Sequence, residues 1–177
     1  HRPLLESYWH NYVVDPDGGV TSSWWDAAMI ERDFARAAEV LEKSSFTEIS
    51  YFNSALTPKS FLAGITAVAR NDRGAAERDF ASALPELAKQ VQEAPDAADR
   101  HANLGMLYAF MGKHDDAIRE GGRAAELKPE SRDAYDGATM NCFLALIYAR
   151  VGEKDLAIPL IERLLKTPGA VDSVNYS

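Results

Sequence analysis

Leu104-Gly105 is followed three residues later by Tyr108, and then by Ala117, Ala124 and Pro129 at intervals of nine, seven and five. Small residues at Gly105, Ala117 and Ala124 let backbones approach, an aromatic fills the space between, and a proline stops the run. That order is the signature of a two-helix unit whose apolar face is covered only by further units. A chain built on it is constrained to stack antiparallel helix pairs, with neighbours completing each other's core.

With Ala98 as position 1, Leu104, Gly105 and Tyr108 fall at 7, 8 and 11, Gly112 at the inter-helix turn (15), and Ala117, Ala124 and Pro129 at 20, 27 and 32. This resembles the tetratricopeptide repeat, with two departures: His101 and Gly121 stand where position 4 and position 24 usually carry large aromatics. The register restarts at Ala138, with Leu144, Ala145, Tyr148, Gly152 and Ala157 in place, and at Thr57, with Gly64, Asn71, Ala76, Phe80 and Ala83. A weaker copy starts at Gly18, with Trp25, Ala28, Arg32-Asp33 at the turn and Ala37. The starts are separated by 39, 41 and 40 residues, against about 34 for the usual unit.

The resemblance implies an all-α, right-handed superhelix of about four helix pairs. A non-repeat segment spans 1–17, and one repeat domain spans 18–177, with units 18–56, 57–97, 98–137 and 138–171. Apolar periodicity predicts helices over 21–31, 34–44, 57–70, 74–93, 97–111, 114–127, 132–150 and 154–166. Pro85 is expected to bend the fourth. Thr57-Pro58 reads as an N-cap with proline in the first turn, and Pro95-Asp96 reads the same way for the fifth helix. Residues 44–56 read as a loop, with a helical turn over 46–52. Residues 1–17, rich in Leu, Tyr, Trp and Val, read either as the end of a preceding helix or as an extended segment lying on the repeats.

Composition narrows the function. Asp and Glu number 27 against 19 Lys and Arg, a formal charge of −8. That argues against the phosphate-neutralising surface of a nucleic-acid binder and against attraction to anionic membranes. No apolar run reaches a membrane-spanning length. The lone Cys142 forms no internal disulfide. The compartment stays open, cytoplasmic being favoured over periplasmic unless a parent chain carries a membrane segment; the start at His1 reads as that of a piece of a longer protein, or of a chain whose start was processed.

In the resembled family the concave face is lined by the first helix of each pair, at positions 2, 5, 9, 12 and 13. Carried over, the candidate groove comprises Phe61, Ile65 and Val68; Ala102, Met106 and Phe110; and Cys142, Leu146 and Arg150. This face is mostly apolar. It lacks the Lys, Arg and Asn cluster that holds chaperone C-terminal tails, for which only Asn103 and Arg150 are suited. An apolar groove of this size calls for a cover. The cover is either a partner's amphipathic helix or apolar peptide, or the chain's own residues 3–14. Burial of Ile65 and Met106 against neighbouring helices alone would argue against an open groove.

Catalytic chemistry finds no foothold. His101 occupies a packing position. His114-Asp115-Asp116 has no second ligand group at metal spacing. Cys142 lies on an apolar face without a nearby His. Trp24-Trp25 reads as packing in an end unit, and Gly121-Gly122 lacks the Lys-Ser/Thr of a phosphate loop. Gly121 demands either close approach of another helix or a kink. The expectation is a non-enzymatic, cofactor-free and metal-free module that binds a protein or peptide. Phrases such as Glu31-Arg32-Asp33-Phe34-Ala35-Arg36 look like repeat regions joined to bacterial regulators and Ser/Thr kinases, implying a segment of a larger signalling protein. The alternative is a structural role, bracing a homodimer or a neighbouring domain.

Overall fold

The computed structural model describes residues 18–51 and 55–166. Helices α1 (Gly19–Ile30) and α2 (Phe34–Lys43) come first. A two-stranded antiparallel hairpin follows, β1 (Glu48–Tyr51) and β2 (Ala55–Pro58). The chain continues through α3 (Lys59–Ala69), α4 (Arg73–Glu93), α5 (Ala98–Phe110), α6 (His114–Leu127), α7 (Ala134–Val151) and α8 (Lys154–Leu164). Consecutive helices pack as pairs, and α7 also packs on α5 and α6. The described residues form an all-α solenoid of the expected kind.

The turns show why the pairs form where they do. Arg32, Asn71, Gly112 and Gly152 have φ of 59°, 59°, 71° and 91°. Each is the position-15 residue of its unit. Left-handed backbone there lets the next amide reach back five residues, closing the helix end. Asp33 N–H donates to Ala28 O (2.9 Å), Asp72 to Ala67 O (2.9 Å), Lys113 to Tyr108 O (2.9 Å) and Glu153 to Tyr148 O (2.9 Å). The residue after each turn then starts the second helix. The Asp33 and Asp72 carboxylates accept from the amides of Arg36 (3.1 Å) and Ala75 (2.9 Å), satisfying otherwise orphaned donors.

The surplus over a standard repeat takes three forms. Between α2 and α3 it is the hairpin, with Ile49 opposite Thr57. This corrects the loop and helical turn expected over 44–56. The β-branched Ile49 and Thr57 are both fully buried, and such residues suit a pleated, packed surface. The side chain of Gln90 on α4 donates to Glu48 Oε1 (2.8 Å) and to the Leu56 carbonyl (3.1 Å), tying the hairpin to the helices. In the second pair the surplus lengthens α4, which runs unbroken through Pro85. In the fourth pair it adds a turn to the start of α7.

Two cap assignments also change. Thr57 and Pro58 belong to β2, so α3 begins at Lys59 with Pro58 as a cap that makes no side-chain bond. Pro95-Asp96 form a turn, and α5 starts from Ala97.

The core is a continuous apolar cluster through α3 to α7, joined by a second around Trp25, Leu41, Ile49 and Leu62. Trp25 is buried and its indole N–H donates to Thr66 Oγ1 (2.8 Å), which makes it a packing residue. Tyr51, edge-on to Trp25, donates its hydroxyl to Asp26 (2.7 Å). Burial pushes the Tyr51 hydroxyl's titration far above its ordinary range, and the Asp26 carboxylate adds to the shift. His101 Nε2–H donates to the Pro95 carbonyl (2.9 Å), with Nδ1 2.7 Å from Glu120.

Candidate functional site

The C-terminal ends of α3, α5 and α7 and the first turns of α4 surround a cavity of about 510 Å³. Its apolar lining is Val68, Phe80, Phe110 and Met111, and its charged lining is Arg73, Glu77 and Arg150. Phe80 is buried, whereas Val68, Phe110 and Met111 are half-buried and the three charged residues are exposed. Phe110 is held in an aromatic cluster, with ring centroids 5.4 Å from Phe80 and 6.0 Å from Phe61. The Arg150 guanidinium lies 4.3 Å from the Phe110 ring centroid, within range of a cation–π attraction.

Of the nine groove candidates, the fold brings Val68, Phe110 and Arg150 to this cavity. Phe61, Ala102 and Met106 are instead buried in the core, and Ile65 is half-buried, packed against both large clusters. The reason is geometric. Where first helices of successive pairs lie close, positions 5 and 9 face a neighbouring helix, and only residues near the helix end reach open space.

Cys142 is half-buried beside the small cluster of Ala138, Ala145 and Leu164, and burial pushes its thiol upward, away from nucleophilic thiolate. Leu146 is exposed. Cover by residues 3–14 is an expectation that lies outside the described residues. Asn71, Arg73, Ala76, Glu77, Phe80 and Met111 complete the cavity without having been legible as site residues. They belong to turns and second helices, which the groove positions do not include.

A second cavity of about 440 Å³ faces out from α6, with His101, Arg119, Glu120, Arg123 and Glu126 among its lining. Its charges are mutually paired: Arg119 meets Asp116 and Glu120, and Arg123 meets Glu126. Among the described residues, no group of three His, Cys, Asp or Glu side chains converges as metal ligands would. Nor is any described helix long and apolar enough to cross a membrane.

Residues 98–131 match the family model of the tetratricopeptide repeat, so α5 and α6 form such a repeat. No curated protein matches the chain. Repeats of this family generally mediate protein–protein interaction and are typically non-catalytic.

Proposed function

We propose that this chain is a protein-binding module whose partner segment seats on the cavity framed by α3, α4, α5 and α7. The observation that carries this reading is the joining of Val68, Phe110 and Arg150, from three successive first helices, at one recess large enough for a side chain. The apolar lining supplies burial and the exposed charges supply orientation, the usual division in such pockets. The bound element is a short peptide or helix that inserts one anchor side chain.

Selection of displayed peptides against the whole chain tests this. The enriched peptides are expected to bind the parent and to lose at least about tenfold in affinity on Met111→Glu or Arg150→Glu. Glu126→Lys, at the outward cavity, leaves binding unchanged. Peptides indifferent to both cavity variants would overturn the reading.

A structural role is favoured by a different surface. Ile158 and Ile161 on α8 and Leu165 at its C-cap are exposed at 54%, 37% and 70%, and their spacing of three and four places them on one face. Self-association through that face predicts a dimer by light scattering that Ile158→Lys with Leu165→Lys converts to monomer. A monomeric parent rejects it.

A further inference from the structure

The charge pattern of the larger cavity identifies the chemistry it receives, an inference that rests on the protein-binding reading above. Among the described residues, several arginines and lysines meet carboxylates, Arg119 with Asp116, Arg163 with Glu130, Arg123 with Glu126 and Lys128 with Asp136, and others, Arg70, Arg78 and Arg132 among them, do not. Arg73 and Arg150 are of the second kind, and what sets them apart is that both line one recess with an apolar wall. Neither has a carboxylate within ion-pair distance among the described residues, although both line this cavity and the chain carries 27 acidic residues to 19 basic.

Arg150 is also pre-oriented. Its guanidinium packs on Phe110, and a guanidinium stacked by its face keeps its edge N–H donors free for the forked bonding that matches a carboxylate. Glu77, one helical turn beyond Arg73, shares the cavity. The three groups sum to one positive charge, which accommodates one anion and opposes a run of them. Beside them Val68, Phe80 and Met111 offer an apolar wall.

We propose that the cavity takes a partner polypeptide segment in which a single Asp or Glu adjoins a large apolar or aromatic side chain. The carboxylate engages Arg73 and Arg150, and the apolar group packs against Val68 and Met111.

The test is an NMR titration of the whole chain with capped peptides, N-acetylated and C-amidated so that no terminal carboxylate is present. The probes are Gly-Phe-Glu-Gly-Gly, its Gln and Lys counterparts, a version with three consecutive Glu, and 3-phenylpropionate. The single-Glu peptide is expected to shift the amides of Val68, Phe110 and Met111 and to bind at least about fivefold tighter than the Gln peptide. The triple-Glu peptide is expected to gain nothing further. In the Arg73→Gln/Arg150→Gln variant, whose melting should match the parent because both side chains are exposed, the Glu preference disappears.

Equal binding of the Glu and Gln peptides, a preference that survives the double variant, tighter binding of the triple-Glu peptide, or no shift with any capped peptide overturns the proposal. So does 3-phenylpropionate binding as tightly as the single-Glu peptide, which marks a site for a small acid. A display-selected peptide that lacks any acidic residue yet is lost on Met111→Glu overturns this proposal while leaving the protein-binding reading standing.

Discussion

The backbones of α5 and α6 approach so closely at Gly105 and Gly121 that a Cβ on Gly105 would stand 2.9 Å from the Gly121 nitrogen. It would also stand 3.2 Å from the Ala117 carbonyl oxygen and 3.0 Å from Ile147 Cδ1. The second pair solves the same crossing differently. There a Cβ on Gly64 would run into the Phe80 ring, so an aromatic covers the glycine. In the third pair Gly121 replaces that aromatic, and Ile147 and Leu144 of α7 occupy the vacated space.

Gly105→Ala should therefore destabilise the fold by about 1–3 kcal/mol through overpacking, despite the better helix propensity of alanine, because rigid backbone opposes the added methyl. Gly121→Ala should cost less, since the first atom it meets is the end of the Ile147 side chain. Urea denaturation of the two variants gives the order.

Gly122→Ala should move stability the other way. A Cβ there meets nothing within 4 Å and the residue lies inside α6. The gain is about 0.4–1 kcal/mol, from restricting the unfolded chain. A loss of stability would show that α6 is strained at this residue.

Arg32 and Asn71 hold φ of 59° without being glycine. Arg32→Gly and Asn71→Gly should each raise stability by about 0.5–1 kcal/mol, because left-handed backbone is costly for residues with a Cβ. Gly112→Ala and Gly152→Ala should lower it by a similar amount. Thermal melting of the four variants checks both signs.

His114, at the start of α6, sits 3.0 Å from Asp115 and 2.8 Å from Glu153 of the next pair. Its proton affinity is raised, first by the hydrogen bond to Asp115 and then by that to Glu153. A raised folded-state value means the link stabilises fully below the ordinary value of 6.5 and fades as pH rises through the higher folded value. The melting difference between the parent and His114→Gln should accordingly be largest near pH 5–6 and vanish at high pH, and salt should shrink it. A difference that grows with pH would contradict the bridge.

Glu130 accepts two bonds from the Arg163 guanidinium, each 2.8 Å, and one from Asn141. The Arg163 bonds hold its carboxyl below the ordinary value of 4.5. A lowered value contributes stability above the unfolded one and loses it as pH falls through the folded one. Glu130→Gln should cost under about 1 kcal/mol at neutral pH, the partner being partly exposed. That cost should disappear in acid melts, where the parent's advantage is also lost.

The repeat was legible because its marks are local. Position-15 residues need left-handed backbone whatever surrounds them, so Gly112, Gly152 and Asn71 announced their turns, and the register carried the weaker Arg32 with them. The helix boundaries followed within a few residues. The hairpin at 48–58 was not legible. The alternation of Glu48-Ile49-Ser50-Tyr51 is short, and its strand state depends on Ile49 finding cover against Gly18 and on Gln90 of α4 reaching the hairpin.

Read alone, the residues decide the period, the turns and the need for neighbours, since these follow from backbone conformation and from an apolar face that one helix pair cannot bury. They could not decide which apolar positions stay open. Phe61, Ala102, Met106 and Phe110 all carry groove register, and the three-dimensional stacking buries the first three while leaving Phe110 at a recess beside Arg150. Helix crossings control that outcome. The approach of α7 onto Gly121 and the meeting of helix ends around Val68 arise between elements far apart in the chain, where only tertiary geometry sets the distance.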